Sequence, residues 1–367
     1  GHWAKKYIDY LADEDIINPS ATTGKYQPDT KVTRAEFMRY INRAFHFTET
    51  ASISYTDVPK SAWYYETVCI AQKYGYINGV GGGRMDPTGT VTREQAATII
   101  GRLYKADPGN VSPSSLDFKD RAKISSWSAG YIRAAVDKGF LAGYSDGTFQ
   151  PTREVTRGEV AKIIYYYLGT SLSRAGKAYT GADLRGDTTN VTISESCTLS
   201  DATIEGNLYI TEGVLSGNVN LNNVTVKGDI IVGGGNVTLD GVTAMNLIVS
   251  NPMGIKPTVI ATGSTNIGTA EVQSSASLSE SGLSANAGGF SDVTVTGEGE
   301  TPTRGREPFA RRFGLGSGHQ SRFHHRHHRQ HAHQRADRGC KDHRHRQRLG
   351  ADRKAERERL RACHAAG

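Results

Sequence analysis

The chain has 367 residues and 37% hydrophobic content, room for two or three domains with modest cores, and it contains no run of 18 or more apolar residues that would cross a membrane. Its net charge of +7 belongs to one end: residues 301–367 hold 18 Lys/Arg against 6 Asp/Glu, whereas residues 1–300 hold 26 against 31, which excludes a basic nucleic-acid surface on the body of the protein. Cys69, Cys197, Cys340 and Cys363 are too scattered for a disulfide framework or a metal site, so neither a metal nor a cofactor is expected.

The first elements are helices, and they repeat. VTRAE from Val32, VTREQ from Val91 and VTRGE from Val155 stand 59 and 64 residues apart, and Trp3, Trp63 and Trp127 precede the three threonines by 30, 29 and 29 residues. A helical pattern runs from each tryptophan, as in Trp127, Tyr131, Ile132, Ala135 and Val136. Twelve residues after each tryptophan come Asp15, Gly75 and Gly139, residues suited to a left-handed helix stop.

A second helix opens at each threonine. Thr33 with Glu36, Thr92 with Gln95 and Thr156 with Glu159 form capping boxes, each stabilising by ~0.5–2 kcal/mol. The boxes leave Arg34, Arg93 and Arg157 unexplained, because a cation in the first helical turn faces the positive end of the dipole. Two readings stand: a solvated arginine copied by duplication, or recognition of an anionic ligand beside helix N-termini that also attract anions.

Tyr55-Thr56-Asp57-Val58 ahead of Trp63, the Gly75 stop, the Asn78-Gly79 turn and Val91-Thr92-Arg93 resemble an S-layer homology module. So do Phe118-Lys119-Asp120, Trp127, Gly139, the run Gly143 to Pro151, and Thr156-Arg157-Gly158-Glu159. The unit that begins at Gly1 is similar, and its lead-in, with any leader, is expected upstream. The resemblance divides the region into modules at 1–48, 49–108 and 109–170. It implies an α-rich pseudo-threefold helical bundle whose inter-module grooves bind acidic, pyruvylated secondary cell-wall polysaccharide linked to peptidoglycan. The implied location is extracellular, in the cell wall or S-layer of a bacterium, with other surface-layer proteins as further partners. It carries ligand contact to Arg34, Arg93, Arg157, Trp3, Trp63 and Trp127, with Gly79 and Gly143 in the adjoining loops. For the tryptophans, core packing is an equal alternative. Pro19 replaces the loop glycine in the first unit, and Gly81-Gly82-Gly83 replaces the Tyr-Ser-Asp-Gly turn in the second.

After Leu168-Gly169 helical periodicity stops, and residues 171–186 read as a linker. From 187 to 290 the text is Thr, Val, Asn, Gly and Ser, and the segments beginning Leu199, Leu221 and Leu239 align at intervals of 22 and 18 residues. Alternating strands at this period predict a parallel β-solenoid, with a β-sandwich as the alternative. Asp201, Glu205, Glu212, Asp229 and Asp240 are scattered singly and residues 171–300 contain no histidine, so no catalytic residue is assigned.

Residues 291–367 read as a disordered tail. Ten of the twelve histidines lie there, and from about Thr301 the text fits a shifted reading frame of a Thr/Pro linker better than a functional basic tail. The expectation is a non-enzymatic, non-covalent surface anchor. Two alternatives accompany it: a wall-anchored carbohydrate-active enzyme with catalysis in the solenoid or a further domain, and nucleic-acid binding through the tail.

Overall fold

A computed structural model describes residues 1–20 and 23–296. The head contains α1 (Lys5–Asp13), α2 (Arg34–Ala44), α3 (Tyr65–Tyr74), α4 (Arg93–Leu103), α5 (Ser126–Asp137) and α6 (Arg157–Leu168). The three capping boxes form as the sequence requires, each threonine accepting from the third helical amide while the Glu or Gln reaches back to the threonine amide. Asp15, Gly75 and Gly139 take φ of 56°, 67° and 73°, the left-handed stops after the first helix of each unit.

The helices close into a ring. First helices pack on the second helix of the preceding unit: α3 on α2, α5 on α4, and α1 on α6. At the centre three fully buried valines join the units by a cycle of backbone bonds: Val91 N to Val32 O at 3.2 Å, Val32 N to Val155 O at 3.0 Å, and Val155 N to Val91 O at 2.9 Å. Each unit thereby satisfies a backbone group that the next would otherwise bury unpaired.

Behind the head the described residues form twelve strands, every pairing among them parallel, in a solenoid of about six turns. Parallel pairing throughout rules out the β-sandwich. Leu199 of β4 (Cys197–Ile204) lies beside Leu221 of β6 (Asn218–Val232), and Leu221 beside Leu239 of β7 (Asn236–Asp240), the register expected from the sequence. One corner repeats with φ near 55°: Asp201, Asn223, Gly241 and Gly263 stand above one another at 50°, 54°, 66° and 55°. These residue types tolerate the left-handed conformation, and the Asn223 side-chain amide donates to the Asp201 carboxylate at 2.7 Å.

The linker expected at 171–186 is instead the first turn of the solenoid. β1 (Thr170–Leu172) pairs with β3 (Val191–Ile193), and β2 (Ala178–Thr180) pairs with β4. Leu172 and Tyr179 are buried in the solenoid core, which three-residue strands split by a Gly-Lys turn do not announce as a periodic pattern. At the other end β12 (Gly289–Val295) carries the solenoid past residue 290. The rest of the expected tail lies outside the described residues.

Without a linker, head and solenoid share a core. Tyr209 and Ile231 of the solenoid belong to the head's apolar cluster, the Tyr209 ring lying 5.5 Å from that of Phe45. The solenoid also satisfies carbonyls at the helix ends: Thr211 Oγ1 donates to Phe45 O at 3.0 Å and Thr192 Oγ1 to Leu168 O at 2.9 Å. Lys105 Nζ meets Glu212 at 2.6 Å, with Glu212 1% exposed.

Candidate functional site

The helix starts are not open anion sites. Arg34 N and Ala35 N donate to Gly89 O and Pro87 O, Arg93 N and Glu94 N to Arg153 O and Pro151 O, and Arg157 N and Gly158 N to Thr30 O and Pro28 O. With the third amide on the capping threonine, the free donors of each start are consumed by the neighbouring unit.

The arginines follow the same path. Arg34 Nε donates to Met85 O and Nη2 to Asn78 O, both at 2.9 Å. Arg93 repeats this on the next unit, Nε to Phe149 O and Nη2 to Ala142 O, both at 2.8 Å. These side chains are 4% and 5% exposed, so the solvated reading fails for both. Burial pushes both guanidinium pKa values down, but an arginine keeps its charge at neutral pH. Carbonyl dipoles thus answer the charge that the helix dipole opposes. Arg157 differs: it pairs with Glu36 and reaches Gln27 Oε1 at 3.4 Å, and its buried Nε has no partner among the described residues.

Gly79 and Gly143 hold the loops that receive these arginines. A Cβ on Gly79 would lie 2.6 Å from Arg84 O, and one on Gly143 2.7 Å from the Phe118 ring, so both glycines are required by close packing. Asp57 and Asp120 support the same loops, accepting from the amides of Met85 and Asp86 at 2.9 and 2.8 Å, and of Phe149 and Gln150 at 2.8 Å each.

The tryptophans are not core residues. Trp3, Trp63 and Trp127 are 53%, 55% and 52% exposed, and two of them edge cavities between units. A cavity of about 370 Å³ lies between Trp127, the Asn78-Gly79 turn and α4, with Arg34, Thr98 and Arg102 in its wall. A larger one of about 600 Å³ holds Trp63, Arg39 and Arg43 together with the carboxylates Glu14, Asp15 and Glu66, and is bordered by Glu195 of the solenoid. The Arg39 guanidinium lies 4.6 Å from the Trp63 ring centroid, and its buried Nε has no partner among the described residues. At the third position Trp3 stands beside Tyr7, 6.3 Å between centroids.

Arg39, Arg43 and Arg102 therefore join the candidate site, and the sequence reading passed over them. A signal for two was present: Arg43 and Arg102 each follow a capping threonine by ten residues, in the same helical phase. Arg39 is replaced at the equivalent positions by Thr98 and Lys162, so no repeat marks it.

The S-layer homology domain family matches residues 1–38, 54–97 and 117–161, each segment reaching into the second helix of its unit. The chain carries three S-layer homology domains. The chain is 33% identical over 175 residues to an exoglucanase, XynX, of Acetivibrio thermocellus, covering 46% of this chain and 16% of the relative. A cellulosome-anchoring protein of that organism is 35% identical over 111 residues, 30% of this chain and 24% of the relative. A surface-layer 125 kDa protein of Lysinibacillus sphaericus is 25% identical over 165 residues, 44% of this chain and 14% of the relative. The chain thus spans less than a quarter of the length of these relatives. Two of the three names describe surface or anchoring proteins.

Among the described residues no helix is long and apolar enough to cross a membrane, and no group of His, Cys, Asp or Glu is arranged to hold a metal ion.

Proposed function

We propose that the protein attaches non-covalently to the bacterial cell surface by holding an acidic, pyruvylated secondary cell-wall polysaccharide in the grooves between its S-layer homology domains. The observation that carries this reading is the pairing of a half-exposed tryptophan with arginine in two inter-domain cavities, Trp63 with Arg39 and Arg43, and Trp127 with Arg34 and Arg102. An exposed indole offers a platform for the C–H face of a sugar, and a guanidinium offers directional donors to a carboxylate. Arg34 has its Nε and Nη2 committed to carbonyls, which fixes the side chain and leaves Nη1 as the donor for a ligand.

No reaction is assigned to the chain. The solenoid carboxylates Asp201, Glu205, Glu212 and Asp229 are engaged by Asn223, Lys227, Lys105 and Lys138, so each has a structural partner. The deciding experiment is co-sedimentation of the purified chain with cell walls before and after mild acid removal of pyruvate ketals. Binding that survives removal of the ketals undiminished overturns the acidic-ligand reading, and absence of binding to untreated walls overturns anchoring itself.

A further inference from the structure

Where the solenoid emerges from beneath the head, a cavity of about 260 Å³ opens between the ends of α4 and α5 and the outer face of the strands. One outward row explains it. Ile231 pairs in register with Ile248 of β8 (Thr243–Val249), Ile248 with Glu271 of β10 (Asn266–Val272), and Glu271 with Thr294 of β12. Ile231 is buried under the head and Ile248 packs against its edge, so Glu271 stands where the row leaves that cover. Phe140 and Ile248 supply apolar wall, and Gln273 lies beside Glu271.

The charges in this cavity are unequally matched. Lys105 is held by Glu212, and Lys138 Nζ lies 3.3 Å from Asp229, whose other oxygen accepts from Asn246 at 2.9 Å. Among the described residues Glu271 receives only neutral donors at Oε1, Gln273 Nε2 at 3.0 Å and Thr296 Oγ1 at 3.1 Å. Among the described residues the cavity therefore presents acceptors and a carboxylate without an ion-pair partner over aliphatic and aromatic walls, its two lysines being held by Glu212 and Asp229. Clefts at domain junctions with apolar lining and a few convergent polar groups are the usual form of small-ligand sites.

We propose that this cavity binds a single neutral or amino-bearing pyranose unit, its hydroxyls donating to Glu271 and Gln273 and its C–H face lying on Phe140 and Ile248. Several donors around one edge and an apolar face are what such a ring offers. An acidic sugar is disfavoured by the carboxylate. The site is separate from the grooves and does not depend on the wall-polysaccharide reading.

The test is saturation-transfer NMR and calorimetric titration of the full chain with glucose, glucosamine and glucuronic acid. Glucose and glucosamine should bind with dissociation constants on the order of millimolar, and glucuronic acid should not bind in this range. Glu271→Gln should weaken glucosamine by about tenfold, the loss of one charge-assisted contact. Ile248→Trp, which fills the cavity, should abolish binding of both sugars, whereas Trp63→Ala and Trp127→Ala should leave it unchanged. Failure of both glucose and glucosamine to bind overturns the proposal, as does a preference for glucuronic acid. Binding that survives Ile248→Trp in a folded protein, or that disappears with the tryptophans instead, does so equally. If Ile248→Trp does not fold, Glu271→Gln and Gln273→Ala at the outer edge carry the test, and unchanged binding in both overturns the site.

Discussion

The Arg93 guanidinium donates through Nε to the carbonyl of Phe149, 56 residues along the chain, at 2.8 Å, and through Nη2 to that of Ala142 at the same distance. A side chain at the start of one domain's second helix is thus a structural part of the next domain's loop. Arg93→Ala should leave two carbonyls and their loop without these donors and destabilise the head by about 2–4 kcal/mol, measured by urea unfolding. Arg93→Lys should restore part of this, since an ammonium cannot reproduce the planar fork. An alanine variant as stable as the parent would show that the inter-domain bonds contribute nothing.

Trp127→Ala and Arg102→Ala lie at the groove rather than in the ring. Each should leave the melting temperature within a few degrees of the parent and weaken wall co-sedimentation, Arg102→Ala by about 1–3 kcal/mol where the contact is desolvated and less where water reaches it. Loss of wall binding together with loss of folding would place these residues in the scaffold instead.

Lys105 and Glu212 tie head to solenoid through a nearly dry ion pair. Lys105→Met strands a carboxylate that is 1% exposed and should cost about 3–5 kcal/mol. Adding Glu212→Gln should recover much of that loss, because the partner charge is removed as well. A double-mutant cycle in thermal melts reads the coupling.

Leu221→Asp places a carboxylate at a fully buried position of the solenoid and should unfold it. Because Tyr209 and Ile231 are part of the head's core, the damage should reach the helices. The expected result is loss of helical circular dichroism in the same transition, and a head that melts at the parent's temperature would show that the two cores are independent.

Acid should loosen the ring. Burial raises the Glu159 pKa, but the Arg153 side chain and the Thr156 amide outweigh it and hold the carboxyl below its ordinary value. Asp57 is likewise held low: desolvation opposes this, and the Met85 and Asp86 amides overcome it. A folded-state pKa below the unfolded one means stability that is complete above the ordinary carboxylate range and lost as pH falls through the depressed values. Melting temperature should therefore be flat from neutral to mildly acidic pH and decline below the ordinary carboxylate range. Glu159→Gln should flatten part of that decline.

What could be read from the sequence was set by distance along the chain. Thr33 and Glu36 are three residues apart, and any segment that contains both displays the cap. Leu199, Leu221 and Leu239 repeat at the solenoid's own period, so the register was visible before the fold. Arg93 and Phe149 share no local pattern, and the role of the arginine stayed open until the ring brought them together. The same holds for Lys105 and Glu212, 107 residues apart. Strands β1 and β2 escaped notice because three residues are too few to show an alternation, and their burial depends on the turns stacked beside them.

The cycle through Val32, Val155 and Val91 has a bearing on how such a head can change over time. No domain in it closes on itself, since each lends carbonyls to one neighbour and borrows them from the other. Removing one leaves a donor-bearing face and an acceptor-bearing face pointing into water, with nothing local to repair either. The smallest piece that can be copied, lost or moved intact between proteins is therefore the triplet, and an inventory of viable heads of this design should advance in threes.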